Sequence, residues 1–512
     1  MKRIILHLGA WLLLVALLWS CAPAEREVVL LFTNDTHSQI EPLAADAKRN
    51  ADMGGVERRK VLIDSLRGVY EDALLVDAGD AVQGTPYFNL YAGEVETMVM
   101  NELGYVVRTP GNHEFDNGCE LLARQLAAFN GVTISSNYEL LNDSLAPYIQ
   151  PSWMCEAGGV KVGFVGVNVN PEGLFFPRYA SEVIWHDPIA RADSVAKSLR
   201  EAGADVVVAL SHLGYEGEEG DVIDSMLVVN SRYIDLVIGG HSHTTLREPA
   251  QYPNRDGRLV AVGQTGKSGA YLGMVRLTVP TAGHEPKLAE YSLLPVDARY
   301  DDRLDEAFAA RLAPYRACVD SAMSAELGHS EVALTVDRPE SPLGNWACDA
   351  FVEIAQERSG RAIDFALFNI GGIRADIMSG SVTRGDIWAA FPFTNYMTIV
   401  ELKGSDVRDL FDQMAANGGE GVSREVRLVM EHNKVVSLSI GGKPVDDNRT
   451  YRIATINFVA EGGDGMVAMR NAVKKEDYPG FVYELFENYI TSLQKSGKSM
   501  TATLDGRAII KK

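Results

Sequence analysis

The chain of 512 residues is too long for one ordinary domain, and two or three are expected. With 46% hydrophobic and 23% charged residues and no low-complexity tract, its composition is globular. A formal charge of −21 argues against a nucleic-acid partner, because phosphate backbones demand clustered Lys and Arg, but it leaves room for a small phosphorylated substrate at a site made locally positive by metal.

At the N-terminus, Lys2 and Arg3 precede the apolar run IILHLGAWLLLVALLW, which ends at Ser20-Cys21. A short positive segment followed by an apolar run of this length reads as an export signal over residues 1–21. A spanning helix needs ~20 residues, more than this run offers. The placement of Cys21 resembles a bacterial lipobox, although Trp19 is unusual in one. That resemblance implies a lipidated Cys21 as mature N-terminus, and a cell-envelope lipoprotein of the periplasm, outer membrane or cell surface. Plain secretion to the periplasm is the alternative, and lipid would be the sole link to a membrane. Cys119, Cys155, Cys318 and Cys348 then remain, an even number in an oxidising compartment. Four cysteines allow three pairings, and the sequence does not choose among them.

Between Val28 and Pro295, short β-branched or aliphatic runs recur and end in polar turns. They are VVLLF (28–32), ALLV (73–76), YVV (105–107), VTI (132–134), VKVGFVGV (160–167), DVVVAL (205–210) and DLVI (235–238). Helix-like stretches such as GGVERRKVLIDSLRGVY and PIARADSVAKSLREAG lie between several of them. This alternation predicts an α/β architecture with a largely buried sheet. LVAVGQTGKSGAYLGMVRLTV (259–279) reads instead as consecutive strands around a Gly-rich bend, so the sheet is expected to be mixed. Residues 28–300 form the first domain in this reading, and the Ala-rich segment 301–327, interrupted by Pro314, is a helical linker. A second α/β region occupies 328–512. Its first helix has Ser341 as N-cap, Pro342 at the first position and Gly360 as its stop.

The polar residues directly after the strand runs form a pattern. TNDTH gives Asp35 and His37; DAGD gives Asp80; RTPGNHEFD gives Asn112, His113 and Asp116; SHLG gives His212; GGHSH gives His241 and His243. Of ten histidines in the chain, five fall in these turns. One turn histidine is ordinarily a cap or surface residue, but five at strand ends are not explained that way. In open α/β sheets the carboxyl ends of strands surround the ligand crevice. So many oxygen and nitrogen donors exceed the needs of one metal and suit two, about 3.5–4 Å apart, sharing a carboxylate.

DTH, GD, GNHEFD, SH and GGHSH, in that order, resemble the calcineurin-like metallophosphoesterases, and GNHEFDNG with GGHSHT resembles their 5′-nucleotidase branch. NIGGIR (369–374), FPFTN (391–395) and NFVAEGGDG (457–465) resemble that branch's C-terminal signatures, so the likeness covers nearly the whole mature chain. It implies an N-terminal metallophosphoesterase sandwich of β-sheets flanked by helices, a helical connector and a C-terminal α/β 5′-nucleotidase substrate-binding domain. It further implies that Asp35, His37 and His243 hold one metal, that Asn112, His212 and His241 hold the other, and that Asp80 bridges them. His243 stands where some relatives have Gln, so Mn, Zn, Co and Mg all stay open. His113 is implied to act on substrate, oriented and kept cationic by Asp116.

In the C-terminal domain the resemblance implies that Phe393 and Phe458 sandwich a nucleobase, Asp464 binds ribose hydroxyls, Asn395 meets the base edge and Arg374 reaches the phosphate. Asn369 belongs to the same signature, and Gly371 and Gly372 let the backbone approach the ligand. Taken singly, each phenylalanine would ordinarily be a core residue. Relatives often carry one more phosphate-binding Arg; the nearest candidate is Arg338, whose register is uncertain. The implied activity is dimetal-dependent hydrolysis of nucleoside 5′-monophosphates outside the cytoplasm. UDP-sugar hydrolysis and 2′,3′-cyclic-nucleotide 2′-phosphodiesterase/3′-nucleotidase activity are the alternatives. Sulfur-ester hydrolysis and a non-catalytic surface-binding lipoprotein are more distant. The oligomeric state is not legible.

Overall fold

The computed structural model describes residues 25–511 apart from 46, 173, 176, 218–219 and 281–284. The segment expected to be an export signal, and Cys21, lie outside the described residues. The chain divides into two compact units, one ending at Tyr315 and the other starting at Arg316.

All seven apolar runs of the first unit are strands, and they build two mixed sheets rather than one. In spatial order, the first sheet contains Lys287–Pro295, Tyr271–Pro280, Glu25–Thr33, Leu74–Asp77, Tyr105–Arg108, Val132–Ile134 and Ile149–Gln150. The last five of these run parallel to one another. The second sheet contains Ala250–Pro253, Leu259–Gly263, Leu236–Gly239, Val206–His212, Val160–Asn168 and Ser152–Ala157, with four parallel strands between antiparallel edges. Strand side chains alternate between faces. Leu30, Phe32, Val76 and Val107 of the first sheet therefore meet Val162, Phe164, Val208 and Ile238 of the second in one buried core. The outward residues Val165, Val207 and Val237 are covered by Ala192, Ala196 and Leu199. Those three lie on the helix Pro188–Glu201, whose Asp187 N-cap accepts the amides of Ile189 and Ala190.

The segment 259–279 departs from expectation. Its two strands are consecutive in the chain but belong to different sheets, so residues 264–270 cross from one layer to the other. The glycines read as a bend instead serve this crossing.

The second unit has a five-stranded sheet in the order Gly421–Val422, Phe365–Phe368, Thr450–Ile456, Tyr396–Lys403 and Lys474–Phe481. Its helix Pro342–Ser359 starts and stops as predicted: the Ser341 side chain accepts the Gly344 amide, and Gly360 closes it at φ 64°. The helix Glu306–Met323 runs through Pro314 without a break. Proline in a helix interior removes one backbone donor and crowds the preceding turn, so this helix tolerates a local loss. Cys119, Cys155, Cys318 and Cys348 are all free thiols, and burial pushes Cys119 up to about 12 and Cys155 up to about 11. No helix among the described residues is long and apolar enough to cross a membrane.

Candidate metal centre and nucleotide site

The nine sequence-predicted residues of the first unit come together where parallel strands of both sheets end. Beyond Thr33 and Asp77 the first sheet loses regular pairing, yet the two following turns remain zipped together by backbone. Ala78 donates to Thr33 O (2.9 Å), Asp35 to Gly79 O (2.9 Å), His37 to Asp80 O (3.0 Å) and Ser38 to Ala81 O (3.0 Å). The first sheet thus presents Asp35, His37, Asp80 and Asn112, and the second presents His212, His241 and His243.

Two groups of ligand atoms form. Asp35, His37 and His243 make one: His37 Nε2 is 2.9 Å from His243 Nε2, and Asp35 Oδ1 lies 3.9 and 3.6 Å from these two nitrogens. Asp80, His212 and His241 make the other, with Asp80 Oδ2 3.1 Å from His212 Nε2 and Asn112 Oδ1 3.0 Å from His241 Nδ1. A third combination of His37, Asp80 and His113 links the two groups and brings His113 within ligand reach as well.

These donors fit divalent cations. His212 Nδ1 lies 2.8 Å from the carbonyl of Ala78, which fixes Nδ1 as donor and leaves Nε2 a lone pair. That nitrogen is buried without a hydrogen-bond partner although a carboxylate is 3.1 Å away, the arrangement of two ligands to one ion. Electrostatics agree. Burial holds His37 down to about 3 and His241 and His243 down to about 4, so their imidazoles are neutral donors. Burial also lifts the Asp35 carboxyl to about 8, with the Asp80 charge adding to it. Burial disfavours the His212 cation, but the Asp80 carboxylate outweighs it and raises His212 to about 10; a divalent ion held between Nε2 and Asp80 would take the place of that added proton.

Asp35, His37, Asp80, His241 and His243 all have left-handed backbones, with φ between 48° and 71°. Non-glycine residues there cost of order 1 kcal/mol or more each, and such strain concentrates at functional sites. Two glycines of the motifs are demanded by close approach. A Cβ at Gly111 would lie 2.1 Å from Asp80 Oδ1, and one at Gly240 would lie 2.9 Å from His212 Nδ1.

Sequence reasoning missed the residues that hold the turns. Buried Glu114 accepts the amides of Asp80 (3.1 Å), Ala81 (2.9 Å) and Gly111 (2.6 Å), stapling two ligand turns. Asn34 donates to Asp35 Oδ2 (2.6 Å) and to Gly266 O (2.8 Å). Gln264 Nε2 donates to Gly240 O (2.6 Å). Glu114 and Asn34 sit inside GNHEFD and TNDTH, and their adjacency to ligands was the available signal. His113 Nδ1 is 2.9 Å from Asp116 Oδ2. Burial opposes its cation, but Asp116 and Asp80 together raise it to about 10. A small cavity is lined by Thr36 and Ser38, the neighbours of His37 in the chain, and by Arg59, Asp77, Glu96 and Tyr105.

In the second unit the predicted residues also adjoin one another. Asn369 Nδ2 donates to Asp464 Oδ2 (2.8 Å), and Arg374 donates to Gly371 O (2.9 Å). The Arg374 guanidinium lies 5.8 Å from the centre of the Phe393 ring. Phe393, Asn395 and Gly372 line one small pocket with Phe368, Phe391 and Val482. The Phe458 ring lies against Gly463, where a Cβ would come within 2.4 Å. Phe393 and Phe458 are 41% and 43% exposed, so neither is a core residue. Exposed aromatic rings beside polar groups suit ligand stacking. Arg338 is not free: it pairs with buried Glu420 (2.7 Å) and donates to Gly419 O, and Glu420 in turn accepts the Ile370 amide.

Comparison with known proteins agrees with this geometry. Residues 28–245 match the calcineurin-like phosphoesterase family and 326–471 match the 5′-nucleotidase C-terminal domain. The 5′-nucleotidase of Bos taurus is 28% identical over 541 residues, covering 94% of this chain and 91% of that protein. A trifunctional nucleotide phosphoesterase protein of Bacillus subtilis is 26% identical over 94% of this chain and 35% of its own length. The crystal structure of a 5′-nucleotidase precursor from Thermus thermophilus superposes with a TM-score of 0.72 at 28% identity, covering 94% of this chain and 99% of that one. With both domains matched and the donor clusters assembled, the chain carries a calcineurin-like phosphoesterase domain and a 5′-nucleotidase C-terminal domain, and is a metal-dependent phosphoric monoester hydrolase.

Proposed function

We propose that the protein hydrolyses nucleoside 5′-monophosphates to nucleoside and inorganic phosphate, using two divalent ions. The observation that carries this reading is the pair of ligand groups, joined through Asp80, with the His113–Asp116 pair alongside. Asp35, His37 and His243 would hold one ion, Asn112, His212 and His241 the other, and Asp80 would serve both. Bound there, the ions neutralise phosphate charge and acidify water toward neutral pH. Asn112 contributes a neutral oxygen, which limits the negative charge a phosphate must meet. His113, protonated through Asp116, steadies charge on the phosphoryl oxygens or gives its proton to the departing 5′-oxygen. Arg374 presents a planar fork to phosphate, Phe393 and Phe458 stack the base, Asn395 meets its edge and Asp464 accepts ribose hydroxyls, with Asn369 holding Asp464.

The N-terminal charge and apolar run support export, with lipid on Cys21 as the anchor. Mass analysis of the mature N-terminus from cells tests this; an unmodified Met1 would refute it.

Phosphate release from AMP, a 3′-nucleotide, a 2′,3′-cyclic nucleotide, UDP-glucose and an aryl phosphate tests the activity. Each is run with EDTA and then with Mn²⁺, Zn²⁺, Co²⁺ or Mg²⁺ restored, adding a coupling phosphatase for UDP-glucose and the cyclic nucleotide. Metal-dependent release fastest from AMP is expected; preference for another substrate would reassign the base pocket and keep the metal centre.

A further inference from the structure

We propose that Lys267 is a phosphate-binding residue of the metal centre, supplied by the segment that crosses between the two sheets. This rests on the hydrolase reading above and adds a contact to it. The crossing segment is fastened on both sides of the lysine. Before it, Thr265 donates from its amide and hydroxyl to Asn34 Oδ1 (2.7 Å each), and Gly266 donates to Thr244 O (3.1 Å). A Cβ at Gly266 would lie 2.4 Å from Thr245 Oγ1. After it, Ser268 donates its amide to Asp35 O (2.8 Å) from a left-handed backbone at φ 60°. Lys267 is thus bracketed between the residue following His243 and Asp35, two members of one ligand group.

Its side chain is exposed and makes no ion pair or hydrogen bond among the described residues, in a chain with 69 acidic residues. His37 and His243 both feel its positive charge. An ammonium beside a divalent-cation site repels the ion and weakens its binding, so the arrangement carries a cost until an anion stands between the two charges. Phosphate is that anion. Lysine offers it a compact charge with three donors on a flexible stem.

The test uses the full metal-loaded chain with Lys267→Met and Lys267→Arg. The readouts are kcat and KM on AMP and on an aryl phosphate, the inhibition constant of inorganic phosphate, and metal content. Lys267→Met is expected to raise KM on both substrates and the phosphate inhibition constant by about tenfold. Metals should be retained, kcat should change by less than about threefold, and Lys267→Arg should restore most of the binding. Unchanged inhibition by phosphate, or loss of metal from the methionine variant, overturns the proposal. Should AMP fail as substrate while the aryl phosphate is cleaved and phosphate inhibition is weakened in Lys267→Met, the nucleotide reading fails and Lys267 keeps its role.

Discussion

His113 Nδ1 stands 2.9 Å from Asp116 Oδ2, three residues on around a short helical turn, and this pairing sets the charge of an imidazole beside both ligand groups. The His113 cation persists up to a pH of about 10 because Asp116 and Asp80 outweigh burial. His113→Ala is expected to keep both metals and lose about 10²–10⁴ in kcat, the span of a lost general acid. Asp116→Asn removes one anion, so the alkaline limb of the kcat/KM profile should move to lower pH. An unmoved limb with metals retained would detach Asp116 from this role.

Gly111 has no room for a methyl group, since its Cβ would lie 2.1 Å from Asp80 Oδ1. Gly111→Ala removes no ligand, yet it should displace the shared carboxylate and lose metal, as Asp80→Ala is also expected to do. Metal content by atomic emission measures this. A fully loaded Gly111→Ala protein would show that the Asp80 turn gives way more easily than its Glu114 staple suggests.

Phe458→Ala should weaken AMP binding by roughly 1–3 kcal/mol, the worth of one base stack, with aryl phosphate hydrolysis nearly intact. The comparison of KM on the two substrates decides. Equal losses on both would give the ring a structural role against Gly463.

Glu96 is buried and lines the small cavity with Thr36 and Ser38, and burial lifts its carboxyl from 4.5 to about 7. A raised acid favours the folded state fully below its unfolded value, and that contribution is lost as pH climbs to about 7. Glu96→Gln stays neutral and keeps the shape. Relative to wild type it should gain stability by pH 8, of order 3 kcal/mol at most, with the difference fading toward pH 5. Thermal melts at the two pH values read the sign; a constant difference would mean Glu96 does not titrate there.

Much of this was legible in the sequence because strand and ligand share one local rule. Asp35, Asp80, His212 and His241 each stand at or just beyond the carboxyl end of a β-branched run, so finding the run locates the ligand. Ser341, Pro342 and Gly360 likewise bounded a helix through local capping chemistry alone. What escaped depended on distance in space. Leu259–Gly263 and Tyr271–Pro280 carry the same alternation whether they share a sheet or not, and only the packed core assigns them to opposite layers. Glu114 was hidden for a related reason: its carboxylate serves amides of Asp80 and Ala81, more than thirty residues away. Phe393 and Phe458 look like core by composition, and only their exposure separates them from Phe391.

Each ligand group draws on both layers of the sandwich: Asp35 and His37 with His243, and Asp80 and Asn112 with His212 and His241. A bound ion is therefore a rivet between sheets that are otherwise joined at this end by side-chain packing, the crossing loop and a few hydrogen bonds such as those from His241 N to Asp35 and from His212 Nδ1 to Ala78 O. Chelation should do more than silence the enzyme. The turn amides of 33–38, 78–81 and 239–243 are expected to exchange hydrogen together and earliest, while amides in the interior of Val160–Asn168 stay protected. The layers then unzip from the catalytic end, so that the chemistry and the mechanical seam of the fold occupy the same seven side chains.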